Sequence, residues 1–237
     1  MVGDIEKGTS SDYIQFQEAS VRNQFVRKVY TLLSIQLVVT FCGVWASCTI
    51  ASFQAWLYHH SFGIMWLSLL GMIAFMVVSL CKPQLFVRYP HNIVILALFT
   101  LCEALLLSSF TAFFEPRIVL TAIVYTAAVV FCLSIYAAKT SKDFISYQPV
   151  VLSFCLILLL FGFTLIWIPF GTAIYSAIGA CIFSFYLIMD TQMILGGKDR
   201  AQFGVDEYVY ATIMLYLDII NLFMYLLQLL SITNNRR

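Results

Sequence analysis

Three acidic residues lie where acids are costly. Of the twelve Asp and Glu in the sequence, nine fall in polar stretches and three, Glu103, Asp190 and Asp218, fall inside long apolar runs. No Lys, Arg or His occupies the interior of such a run. If the runs cross a bilayer, an ionised Asp at mid-depth costs about 2.5–3.5 kcal/mol even on lenient insertion scales. Without a protein cation to pair with, each acid must hold a proton, share one, bind a metal cation or face water. The chemistry open to these residues is proton exchange and cation binding.

Their contexts differ. Asp218 sits ten residues past Tyr208, about 15 Å along a helix. Asn221 at i+3 and Tyr225 at i+7 extend the same polar face, which marks Asp218 as functional and Asn221 as a candidate pore-lining group. Asp190 is followed at once by Thr191, Gln192 and the Gly196-Gly197 break, so by itself it could cap its helix near the interface. Two readings stay open for Glu103: a protonated packing group bonded to Ser108 or Ser109, or a second polar group along an ion path. If the sixth run ends near Leu195, Asp190 lies only about 7 Å deep. Pairing it with Asp218 then requires tilt, a deeper connecting loop or a late start of the seventh helix.

The elements that must position these acids follow from composition. The chain has 237 residues, 62% hydrophobic and 11% charged, against about 25% charged in soluble domains, so a water-soluble globule is excluded. A net charge of +1 without basic clusters gives no hint of a nucleic-acid partner, and none is expected. Apolar runs at roughly 30–52, 62–81, 92–113, 118–137, 149–168, 172–191 and 208–232 are each about long enough to cross a bilayer as a helix. They lack the alternation of barrel strands. The expected fold is all-α and polytopic, with seven transmembrane helices in one domain over 22–237. A polar tail, 1–21, precedes it and is expected to be flexible, with no signal peptide.

Within that frame, Glu18 to Tyr30 is expected to form an amphipathic lead-in helix, with Val21, Phe25 and Val29 on one face and Arg22 and Lys28 flanking. The short gaps 114–117 and 169–171 imply antiparallel hairpins. His59-His60 and His91 are placed in loops. With the N-terminus in the cytosol, ten of the thirteen Lys and Arg fall on the cytosolic side, the orientation the positive-inside rule favours. Arg236-Arg237 pulls the other way. A re-entrant last segment would satisfy them, but Tyr208 to Ile232 is long enough to cross. The seven Cys show no C-x-x-C spacing and read as small packing hydrophobes, not a disulfide framework.

Several function classes fall away. The seventh run has no Lys for a retinal Schiff base, and neither aspartate has the Y-D or G-x-G-D context of intramembrane aspartyl proteases. H-E-x-x-H zinc chemistry is absent too. No enzyme activity and no organic cofactor is expected.

The run Leu215-Tyr216-Leu217-Asp218-Ile219-Ile220-Asn221-Leu222-Phe223, with Phe185 to Gln192 and Asp206-Glu207-Tyr208 before it, resembles the C-terminal signature of the transmembrane BAX inhibitor motif family. Phe25 to Tyr30 and Cys102 to Leu105 fit as well, and the resemblance is to the Lifeguard and Golgi anti-apoptotic branch. It implies a seven-helix fold with the last helix central. It further implies a Golgi or endoplasmic reticulum membrane, a pH-sensitive calcium leak, and dampening of cell death through membrane-protein regulators. Asp190 and Asp218 would share a proton and take Ca²⁺, with Glu103 as the third-segment acid. Some bacterial relatives latch the pair with an intramembrane arginine, and Phe62 to Cys81 contains none, so closure by a shared proton is expected instead. The alternative is a non-conducting protein acting through partner helices, for which the small residues Ala173, Ala177 and Cys181 offer a packing stripe.

Overall fold

A computed structural model of the protein describes residues 2–165, 171–196 and 203–235, with side chains from Ser20 onward except at Leu80, Pro83, Leu165 and Asn235. Pro169, Gly197, Lys198, Arg200, Arg236 and Arg237, used above to place turns and orientation, lie outside the described residues. Seven α-helices follow in order: α1 Val2–Thr49, α2 Ala51–Cys81, α3 His91–Thr111, α4 Pro116–Lys139, α5 Gln148–Leu165, α6 Thr172–Leu195 and α7 Tyr208–Asn235. No strand occurs among the described residues. Each helix contains a stretch long and apolar enough to cross a membrane, α7 over Tyr208–Asn234 included.

The boundaries have local causes. Lys82-Pro83 ends α2, and Pro116 opens α4 at a position where its missing N–H costs nothing. Gly196 stops α6 with φ 72°, a conformation disfavoured for residues with a Cβ. Two expectations are corrected at the first connection. α1 and α2 are separated by Ile50 alone, in an extended conformation, where a loop over 53–61 was expected. His59 and His60 therefore lie inside α2. The stretch holds no proline or glycine; its polarity suits the headgroup level, where Trp56 and Tyr58 are also at home. Tyr58 Oη and Gln54 Nε2 donate to the Ala112 carbonyl at 2.7 and 3.1 Å, tying the start of α2 to the α3–α4 turn. His91 likewise opens α3.

The lead-in helix is fused to the first span, and the backbone stays helical back to Val2 where a flexible tail was expected. No proline interrupts residues 2–49. Phe25, Val29 and Leu33 form one buried stripe at four-residue spacing, which anchors this segment to the bundle. Val21, expected on that face, is exposed, and Arg22 turns inward instead.

α7 is the most buried span, with 50% of its central window inside the protein against 11% for α2. It packs on α6, α1, α4 and α3. α2 joins the bundle chiefly through α3 and α1, and α5 through α6. The α3–α4 turn makes no packed hairpin: from it α3 runs against α1 and α2, and α4 against α6 and α7. Without water to drive association, such packing rests on close contact and interhelical hydrogen bonds. Gln36 Nε2 donates to Thr100 Oγ1 (2.8 Å), and the Thr40 and Tyr216 hydroxyls meet at 2.8 Å. At Gly179 a Cβ would stand 2.5 Å from the Tyr225 ring, which is how α6 and α7 approach so closely. None of the seven cysteines is fully buried; Cys42, Cys81, Cys132 and Cys181 are exposed, so these four face outward instead of packing inside.

Candidate functional site

α6 and α7 bring Asp190 and Asp218 together. Each residue is 5% exposed, and their carboxyl groups face one another at hydrogen-bond range. The Oδ2 atom of each is buried without a donor. Among the described residues no cationic side chain pairs with either. Two carboxylates this close cannot both carry charge unless a proton or a cation lies between them. Asp190 is also near the C-terminal end of α6, where exposed carbonyls disfavour an anion.

The two helices pair these residues although they stand at different distances from the helix ends. α6 runs only five residues beyond Asp190, whereas α7 begins ten before Asp218. Phe203 folds back into the core, 7% exposed, and its N–H reaches the Met193 carbonyl at 3.4 Å. Arg22 of α1 holds this arrangement: Nη1 donates to Phe203 O and Nη2 to Met193 O, both at 2.8 Å. A guanidinium on the last carbonyls of a helix also complements its dipole. Arg22 is the residue the sequence reading missed, since its spacing made it a flank of the lead-in helix; the aromatic Phe25 beneath it, 4.8 Å away, was the available signal.

Gln192 was also undervalued. Fully buried, it accepts from the Phe144 N–H (3.0 Å) and donates to the Lys142 carbonyl (2.9 Å), pinning the α4–α5 connection to α6 two residues from Asp190. Gln192→Leu removes both bonds and leaves the buried Phe144 N–H without this acceptor, an expected loss of roughly 1–3 kcal/mol. Thermal unfolding in detergent measures it; an unchanged midpoint would mean that the connection is held by other contacts.

Glu103 does not join the pair. It is buried, 4% exposed, on α3, and its neighbour on α7 is Tyr216. Tyr216 and Asp218 are two residues apart, so they project about 200° apart around α7, and Glu103 lies across the helix from the aspartates. Asn221, one turn beyond Asp218, donates to the Leu217 carbonyl of its own helix at 2.8 Å. Beside the aspartates' end of the bundle, a cavity of about 470 Å³ is lined by Arg88, Gln84, Glu207 and Tyr210; Tyr210 also neighbours Asp190.

No group of three or more His, Cys, Asp or Glu gathers among the described residues. Calcium takes six to eight oxygens at about 2.3–2.6 Å. Two carboxyl groups supply part of that set, and an ion there would keep water, as suits a passing ion more than a resident one.

Seven membrane-length helices, six of them around α7, with a buried carboxyl pair between the last two, define a polytopic helical membrane protein. Residues 22–235 match the family described as inhibitor of apoptosis-promoting Bax1, and the chain belongs to that family. It is similar to protein LIFEGUARD 1 of Arabidopsis thaliana, 33% identical over 239 residues that cover 96% of this chain and 98% of the relative. LIFEGUARD 2 of the same plant is 29% identical (96% and 95% covered), and human protein lifeguard 3 is 26% identical (93% and 72% covered).

Proposed function

We propose that this chain is a pH-sensitive calcium leak pathway of a Golgi or endoplasmic reticulum membrane, N-terminus cytosolic, that dampens apoptosis. The observation that carries this reading is the Asp190–Asp218 pair, buried face to face with no cationic side chain beside it among the described residues. A shared proton holds α6 against α7. Loss of that proton leaves like charges in contact, which part the helices or draw in Ca²⁺. This is a two-state element biased by protons and by the ion it admits. Glu103 and Asn221 are further polar groups available to a path along α7. The family's description supplies the link to cell death.

The sign follows from the charges: flux is expected to rise from mildly acidic to mildly basic pH. Calcium flux from proteoliposomes holding the purified chain tests this. No flux from folded protein at any pH would favour the non-conducting reading, in which the chain acts through partner helices; its support is the Ala173, Ala177, Cys181 stripe, where Cys181 is exposed and the two alanines are half-buried.

A further inference from the structure

α1 and α4 stand apart over α7, and between them runs an apolar slot of about 590 Å³. This is within the range of roughly 300–1,000 Å³ typical of ligand pockets. Along α1 it extends from Tyr30 to Val44, about 21 Å at helical rise, so it is long and narrow. Its floor is Ile219, Ile220 and Phe223 of α7. Three hydroxyls in its walls already bond carbonyls of their own helices: Ser34 to Tyr30 at 2.7 Å, Thr40 to Gln36 at 2.9 Å and Thr126 to Ala122 at 2.8 Å. The slot offers water little to bind and stays dry. Because the helices on either side are membrane spans, its open side faces hydrocarbon.

One end carries charge. Arg27 precedes Tyr30 by three residues and Ser34 by seven, which places it on the slot-facing side of α1, and it is exposed. α4 runs antiparallel to α1, as a small cavity between Trp45 and Pro116 at the opposite end confirms. Lys139, exposed in the last turn of α4, therefore lies at the Arg27 end. We propose that this slot is a lipid site that holds one acyl chain of an anionic phospholipid, with the headgroup on Arg27 beside Lys139. Length and dryness select the chain; the two cations at one end select the anionic head. The proposal is independent of whether the protein conducts ions.

The test uses the full chain in detergent, titrated with dioleoylphosphatidylglycerol, dioleoylphosphatidylcholine or cholesterol, with bound lipid counted by native mass spectrometry. Dioleoylphosphatidylglycerol is expected to be retained preferentially. Ala127→Phe fills the slot and should weaken its binding about tenfold or more. Arg27→Gln should weaken it about fivefold, from about 1 kcal/mol per basic residue near a lipid surface, while leaving phosphatidylcholine unchanged. Circular dichroism checks folding, and Ser34→Leu on the opposite wall replaces Ala127→Phe if that variant does not fold. Wild-type affinity in the folded filling variant, equal binding of the two phospholipids, or preferred capture of cholesterol would each overturn the assignment.

Discussion

Asp190→Asn and Asp218→Asn should each remove most of the calcium flux and its pH response in proteoliposomes, and the double variant should lose little more. The reason is that the two carboxyls act as one titrating unit, each defined by the other at hydrogen-bond range, and residues that act as a unit are non-additive. An amide keeps the size of the side chain and can donate the bond that a shared proton supplies. It cannot lose that proton, so the closed contact persists across the pH range. A loss of at least about tenfold in rate corresponds to about 1.4 kcal/mol of bias toward the closed state, modest for removing a charge in so dry a place. Glu103→Gln, on the far side of α7, tests separately whether that acid lies on the path. If either aspartate variant leaks with the wild-type pH profile, the pair is a packing feature and not a gate.

Removal of Arg22 is the second large effect. Its two 2.8 Å bonds run from a charged donor to the backbone carbonyls of Met193 and Phe203, and bonds to charged groups contribute about 1.5–3 kcal/mol each. Arg22→Ala should therefore cost roughly 3–6 kcal/mol locally and free the chain between α6 and α7. Hydrogen exchange at Phe203 to Glu207 should accelerate, and the leak at acidic pH should rise because Asp190 loses its fixed depth. Arg22→Lys restores the charge but not the fork that reaches two carbonyls at once, so it should rescue only part. Unchanged exchange at Phe203 in Arg22→Ala would show that the segment is held without the clamp.

Much of this protein is written in one dimension. Apolar runs of membrane length fix seven helices, because a backbone in hydrocarbon must satisfy its own hydrogen bonds. The lack of any cation in those runs singles out Glu103, Asp190 and Asp218, because an acid there needs an answer. What the sequence misplaces has a common cause: polarity was read as a break. His59-His60 lies within a helix because nothing there stops one, and the polar lead-in joins α1 because Phe25 and Val29 are buried against the bundle. The pairing of Asp190 with Asp218, and the separation of Glu103 from both, were decided only in three dimensions. Helical rise alone put the aspartates at different depths. At the end of α6, Phe203 turns inward and Arg22, 181 and 171 residues from the two carbonyls it binds, closes on them. Contacts at such sequence separation leave no periodic trace, so spacing can propose an acid as functional while only packing determines what it faces.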